Sequence, residues 1–79
     1  MQIELEREED GRWIAEASGI PGAMAYGDTE AEAITRVEAL VLRTLADRLD
    51  QGETPPELDK VFTVAAPSRF IRGVASALT

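Results

Sequence analysis

The chain contains no cysteine and no histidine. Without them it has no thiol nucleophile, no imidazole base and none of the side chains that hold most zinc ions. Disulfide bonds are excluded as well. We therefore predict that the protein is not an enzyme and that it has no catalytic residues, no cofactor-binding residues and no metal ligands.

Long apolar runs are also missing. No segment approaches the roughly 20 apolar residues that a membrane-spanning helix requires. The N-terminal residues, MQIELEREED, lack the apolar stretch of a signal peptide. We expect a cytoplasmic protein that does not bind membranes.

Basic residues are few, with 8 lysines and arginines against 15 acidic residues and a net charge of −7. Residues 1–66 hold 6 basic and 15 acidic residues, a net charge of −9, whereas residues 67–79 hold only Arg69 and Arg72. A negative field repels the phosphate backbone, and two bases neutralise too few phosphates for useful affinity. We expect the chain to attract basic surfaces and not to bind nucleic acid directly.

A chain of 79 residues makes one small domain. We predict an α+β domain over residues 1–66 and a short amphipathic tail over residues 67–79. A core of this size is marginal without disulfides or a metal. Self-association as a dimer or tetramer is therefore expected.

Three strands are predicted near the start of the chain. Residues 2–7 alternate apolar and acidic side chains, which is typical of a strand with one wet face. The Asp10-Gly11 pair suits a hairpin turn. Residues 12–17 form the second strand, whose small alanines leave room for a covering helix, and residues 23–26 form the third.

A long helix follows, opened by a capping box in which the Thr29 hydroxyl accepts from the Glu32 amide and the Glu32 carboxylate accepts from the Thr29 amide. One apolar stripe at helical spacing comprises Ile34, Val37, Val41, Leu45 and Leu49. Gly52 at the C′ position and the prolines at 55 and 56 end the helix.

The last elements are a fourth strand and a terminal helix. Residues 60–64 are rich in β-branched and aromatic side chains, which favours a strand. Apolar residues at helical spacing predict a short amphipathic helix in the tail; they are Phe70, Ile71, Val74 and Leu78. The predicted fold is a β-β-β-α-β sheet with one long helix on one face, plus this terminal helix. The four tail residues and Trp13 are the candidates for self-association.

Four segments in this order resemble the opening of HicB-family antitoxins: Asp10-Gly11-Arg12-Trp13-Ile14-Ala15, Ile20-Pro21-Gly22, Gly27-Asp28-Thr29 and Glu32-Ala33-Ile34. The resemblance covers roughly residues 2–50. It implies a truncated ribonuclease-H-like sheet in which the fourth strand lies parallel beside the first. It also implies a protein that binds and neutralises HicA, a small basic toxin that cleaves RNA, and that forms dimers or higher oligomers.

The chain departs from the family pattern at two places. Ser18-Gly19 stands where the family often has a proline and an acidic residue. Members that repress their own operon carry an added helix-turn-helix or ribbon-helix-helix segment, and residues 67–79 are too few for the first and barely reach the second. The DNA-binding role is therefore not carried over.

The candidate partner-binding residues are Glu8, Glu9, Asp10, Trp13 and Tyr26. The three acids form a hairpin tip that either docks a basic partner or only keeps the protein soluble. Trp13 could be an interface anchor, since tryptophan is enriched at binding hot spots. Core or self-interface packing is preferred to a contact with a toxin, because the chain has only four aromatic residues with which to cover its sheet. Tyr26 is undecided between the same roles.

Three functions follow from these features. The first is a HicB-like antitoxin that occludes the RNA-binding face of its toxin, and the alternative is a stand-alone dimeric adaptor or regulatory module. A third reading is a minimal metal-dependent nuclease built on Glu4, Glu6 and Asp10, because such enzymes converge several carboxylates on divalent ions. An outward row of carboxylates beside a turn residue explains the same three acids more simply.

Overall fold

The computed structural model describes residues 1–65. It is an α+β fold in which three strands precede one long helix and a short 3-10 helix. In chain order these elements are β1 (Ile3–Arg7), β2 (Trp13–Ala17), β3 (Met24–Gly27), α1 (Glu30–Asp50) and the 3-10 helix (Pro56–Lys60). The chain divides into two compact units, of which the first spans Met1–Asp47 and the second begins at Arg48.

The predicted hairpin of β1 and β2 is present. The strands run antiparallel, with Glu4 opposite Glu16 in the register. At the turn the Glu8 amide donates to the Arg12 carbonyl at 2.7 Å, and the Gly11 amide donates to the Glu8 carbonyl at 3.0 Å. The Asp-Gly turn thus closes the hairpin where the sequence indicated.

The third strand pairs antiparallel with β2, which gives the sheet order β1-β2-β3. In the connecting turn the Ala17 amide donates to the Ala23 carbonyl at 2.9 Å, and the Ala23 amide donates to the Ile20 carbonyl at 3.1 Å. Ile20 is buried, so this turn contributes an apolar side chain to the core.

One of the two hydrogen bonds predicted for the capping box at the start of α1 is present. The Glu32 amide donates to the Thr29 hydroxyl at 3.1 Å, as expected. The Glu32 carboxylate, however, accepts from the Asp28 amide at 3.4 Å and from Arg36 at 2.9 Å. Because Arg36 also donates to the Tyr26 carbonyl at 2.9 Å, the side chains at this helix end are tied to β3.

The predicted packing of a helix over the small-residue face of the sheet is confirmed. Ala15 is 0% exposed and Ala17 is also buried. The buried stripe of α1 that meets this face comprises Ala33, Val37, Val41 and Leu45. At Gly27 an added Cβ would overlap the Ala33 backbone nitrogen. The core of the first unit therefore depends on small residues that let the helix approach closely.

The prediction of a fourth strand at residues 60–64 is wrong. Lys60 ends the 3-10 helix, and residues 61–65 form no strand. The cause is local, because the Val61 and Phe62 amides both donate to the Leu58 carbonyl, at 3.0 and 2.9 Å. Pro56 favours this tight turn by supplying a fixed φ at its first position. Strand propensity does not take into account that these two amides form hydrogen bonds within the turn.

The end of α1 is as predicted, with the Gly52 amide donating to the Leu49 carbonyl at 3.0 Å. The tail at 67–79, its predicted helix and the candidates Phe70, Ile71, Val74 and Leu78 lie outside the described residues.

Candidate functional site

The face of the sheet that points away from α1 carries the most distinctive chemistry of the first unit. Because side chains alternate along a strand, the acidic positions of β1 share this face with every second residue of β2 and β3. We call this set the outer face; it comprises Glu4, Glu6, Ile14, Glu16, Met24 and Tyr26. Two glutamates of β1 thus lie beside one glutamate of β2.

The carboxylates of the outer face are not neutralised within the described part of the chain. Glu4 lies directly opposite Glu16, and like charges at such positions destabilise a sheet. None of Glu4, Glu6 and Glu16 forms an ion pair with a residue of 1–65. The outer face therefore holds concentrated negative charge at a cost to folding.

Apolar and aromatic groups lie among these acids. Ile14 is buried at the centre of the face, whereas Tyr26 is 43% exposed and Met24 is exposed beside it. An open groove runs over the face and is lined by Glu4, Leu5, Glu6, Glu8, Ile14, Glu16, Met24 and Tyr26. An exposed tyrosine framed by carboxylates suits a partner that brings cations and an apolar contact together.

The predicted acidic tip adjoins the outer face through Arg12. The Arg12 guanidinium lies 4.6 Å from the centre of the Tyr26 ring, a cation–π distance. Glu8, Glu9 and Asp10 line a common recess with these two residues. The structure therefore brings the tip and Tyr26 together, as one site.

Within the tip, Asp10 has a structural role. Its carboxylate accepts from the Arg12 backbone amide at 3.0 Å and from Arg12 Nε at 2.8 Å. The backbone hydrogen bond, and then the side-chain hydrogen bond, hold the pKa of the Asp10 carboxyl below its ordinary value. Asp10 thus shapes the turn, and Glu8 and Glu9 are the acids of the tip whose charge is not matched in this way.

Trp13 does not join this site. It alternates with Ile14 and lies on the face toward α1, half-buried, with the Arg7 guanidinium 5.9 Å from its ring centre. The structure therefore separates Trp13 from the tip and Tyr26. Its predicted role in self-association remains a prediction.

Sequence reasoning missed Ile14, Glu16 and Met24 as members of the site. The signal was present in the hairpin register, because an Asp-Gly turn at residues 10 and 11 places Glu16 opposite Glu4. From the sequence, Glu4 and Glu6 are interpreted as an outward row of carboxylates or as metal ligands, and not as part of a binding surface. Among residues 1–65, no three His, Cys, Asp or Glu side chains are arranged so that they could hold a metal ion.

Comparison with known proteins yields no matching family model, no matching curated protein and no matching solved structure. No helix within residues 1–65 combines the length and apolar composition needed to cross a membrane.

Proposed function

We propose that the protein is a HicB-like antitoxin that binds a small basic RNA-cleaving toxin and has no catalytic activity of its own. The observation that carries the proposal is the outer face, where Glu4, Glu6 and Glu16 lie without cationic partners in residues 1–65 around the exposed ring of Tyr26. The sequence resemblance described above supplies the class of partner.

The like-charge pair of Glu4 and Glu16 supports a role in binding. Opposed glutamates destabilise the free protein, and a cationic partner would relieve that repulsion on binding. An RNA-cleaving toxin needs a basic surface to hold its substrate, so the same surface is complementary to the outer face. Occupying it excludes RNA by simple overlap.

Charge and aromatic contact have separate effects in this mechanism. The acids of the outer face, together with Glu8 and Glu9, raise the rate of encounter with a cationic surface. Tyr26 offers a rigid, partly apolar anchor of the kind that slows dissociation. Because Arg12 already stacks on the Tyr26 ring, the ring is held in place before binding.

The test is co-expression with any adjacent reading frame that encodes a small basic protein, followed by co-purification and a growth-rescue assay. The triple variant Glu4→Gln, Glu6→Gln, Glu16→Gln should slow association by about tenfold and change dissociation much less, because it removes steering charge. The wild-type association rate should fall as salt rises.

A matched control removes the same charge elsewhere, at the exposed residues Glu30, Asp50 and Glu53, each replaced by its amide. If the control slows association as much as the triple variant, net charge rather than the outer face governs binding. If no basic protein co-purifies and growth is not rescued, the antitoxin proposal is wrong, and the dimeric adaptor is the function to pursue.

A further inference from the structure

The outer edge of β1 is free of strand partners within residues 1–65. The ladder with β2 uses the even-numbered residues of β1, because the Ser18 amide donates to the Gln2 carbonyl at 3.0 Å and the Glu8 amide donates to the Arg12 carbonyl. Antiparallel ladders alternate, so the N–H and C=O groups of Ile3 and Leu5 point away from β2. These groups form a template for another strand.

The side of this edge that faces α1 is apolar. Leu5 is 37% exposed although it lies on the helix-facing side of the sheet, and Leu42 of α1 is 61% exposed. An open recess of about 220 Å³ between β1 and the helix is lined by Met1, Ile3, Ala17, Glu38, Val41 and Leu42. Its walls are almost entirely apolar. Side chains of an added strand could extend this core.

The other side of the edge is acidic, since Glu4 and Glu6 alternate with Ile3 and Leu5. A strand whose residues alternate basic and apolar would match both sides at once. Its apolar side chains would lie over the recess and its cations beside the two glutamates.

A second copy of the chain does not fit this edge. Antiparallel pairing of two β1 strands centred on Leu5 places Glu4 of each copy opposite Glu6 of the other. Centring on Glu4 or on Glu6 places that glutamate opposite itself. Like charges directly opposite destabilise the pair, so the acids protect the edge from self-pairing.

We infer that the free edge of β1 binds an extended segment with alternating basic and apolar side chains by strand addition. The inference rests on the proposed function in one respect, which is that the segment belongs to the basic partner. The main-chain groups of Ile3 and Leu5 supply the hydrogen bonds, the recess receives the apolar side chains, and Glu4 and Glu6 select the cations.

The inference can be tested without any toxin by using the capped peptide SKVKVS and the ¹⁵N-labelled full chain. In antiparallel alignment the two valines lie opposite Ile3 and Leu5, and the two lysines lie opposite Glu4 and Glu6. We expect the largest amide shifts in residues 3–7 and slower hydrogen exchange at Ile3 and Leu5. A peptide of the same composition without alternation, SKKVVS, should bind more weakly.

Two N-methylated peptides give the decisive comparison. Methylating the valine amides removes the donors that face β1 and should weaken binding about tenfold or more, because two backbone hydrogen bonds are lost. Methylating the lysine amides alters donors that point away and should leave affinity nearly unchanged. Equal binding of the two peptides would show plain charge attraction and would overturn the inference.

Variants of the protein test the same edge from the other side. Leu5→Pro removes an outward amide, which edge strands tolerate, and should abolish peptide binding. Leu5→Thr shortens the same side chain but keeps the amide, so it should retain binding in part. The double variant Glu4→Gln, Glu6→Gln should weaken binding of the lysine peptide and reduce its salt dependence.

Other occupants of the edge give distinct results. If the Ile3 and Leu5 amides are already protected before peptide is added, another part of the chain or a second copy occupies the edge and the inference is wrong. Peptide binding without growth rescue supports the inference and contradicts the antitoxin proposal. Growth rescue that is unaffected by Leu5→Pro supports the antitoxin proposal and contradicts the inference.

Discussion

On the side of the sheet that meets α1, small residues occupy the central positions: Ala15 lies opposite Ala25, and Gly27 lies opposite the half-buried Trp13. On the outer face the paired positions hold Glu4 opposite Glu16, with larger side chains around them. The size of the side chains is limited on the first face because a helix lies against it. Charge dominates the second face, against which no helix or strand of residues 1–65 packs.

This difference separates what folding requires from what binding would use. The inner face has almost no tolerance for added volume, since protein interiors are packed as densely as organic crystals. The outer face carries the directly opposed pair of Glu4 and Glu16, an unfavourable contact that folding alone does not explain. Substitutions on the two faces should therefore change the free energy of unfolding in opposite directions.

The largest effect is expected at Gly27, on the inner face. Gly27→Ala should destabilise the fold by about 3 kcal/mol, because the new Cβ would overlap the backbone of Ala33 and Glu32, which cannot move without shifting the start of α1. Urea unfolding followed by the fluorescence of the single tryptophan measures this change.

A second glycine provides the control for this prediction. Gly22 has a positive φ of 82° but nothing within 4 Å of an added Cβ. Gly22→Ala should cost about 1 kcal/mol through the left-handed backbone alone. Equal costs at Gly22 and Gly27 would contradict the close approach of α1 to β3.

The hairpin and the buried side of α1 could both be predicted from particular residues of the sequence. The Asp-Gly turn and the alternation of β1 fix the hairpin, and the stripe through Val37 fixes the buried side of α1. The close contact at Gly27 could not be predicted, because a glycine before a helix cap has the same sequence signature whether or not a helix touches it.

The remaining errors have a similar physical origin. The residues at 60–64 have high strand propensity, yet a proline turn uses two of their amides locally. The outer face was overlooked because it combines residues from three strands, and only the register assembles them. The functional role of Tyr26 could not be assigned from its single position in the sequence.

The second prediction also concerns the inner face. Val37 is 0% exposed and is the largest fully buried side chain in the described residues. Val37→Ala should cost about 2 kcal/mol through lost burial and a small cavity, after a partial offset from the better helix propensity of alanine.

Leu42 on the same helix provides the matched control. Since most of its side chain is exposed, Leu42→Ala should change the free energy of unfolding by less than about 0.5 kcal/mol. If Leu42→Ala destabilised the protein as much as Val37→Ala, the helix would be rotated from the orientation described.

The third prediction concerns the outer face, where a substitution should stabilise the fold. Glu16→Gln should stabilise the fold by about 0.2 to 1 kcal/mol, because it removes the repulsion between directly opposed carboxylates. The gain should shrink in high salt. Thermal unfolding at low and high ionic strength measures both effects.

Replacing Glu16 also connects stability with binding. If the acid is retained for a partner, Glu16→Gln should bind a basic protein more slowly while unfolding at a higher temperature. A loss of stability in Glu16→Gln would show that the carboxylate has a stabilising contact, and the contrast between the two faces would fail.

The smallest effect is expected at Asp10, beside the outer face. Its folded pKa lies below the ordinary value of 3.8 because the Arg12 amide and side chain bind the charged form. A lowered folded pKa means that the stabilisation is complete above 3.8 and is lost as the pH falls through the folded value. The stability difference between wild type and Asp10→Asn should therefore be constant near neutral pH and fall as the pH drops below 3.8.

Titration of the Asp10 carboxyl by carbon NMR measures the folded pKa directly, and Arg12→Ala separates its causes. Removing the side chain should raise the pKa of Asp10 only part of the way toward 3.8, because the backbone amide of residue 12 still donates. Arg12→Ala should also free the Tyr26 ring from its stacked cation. An Asp10 pKa at or above 3.8 in the wild type would show that the tip is not closed by these bonds, and Asp10 would then join Glu8 and Glu9 as an acid available to steer a partner.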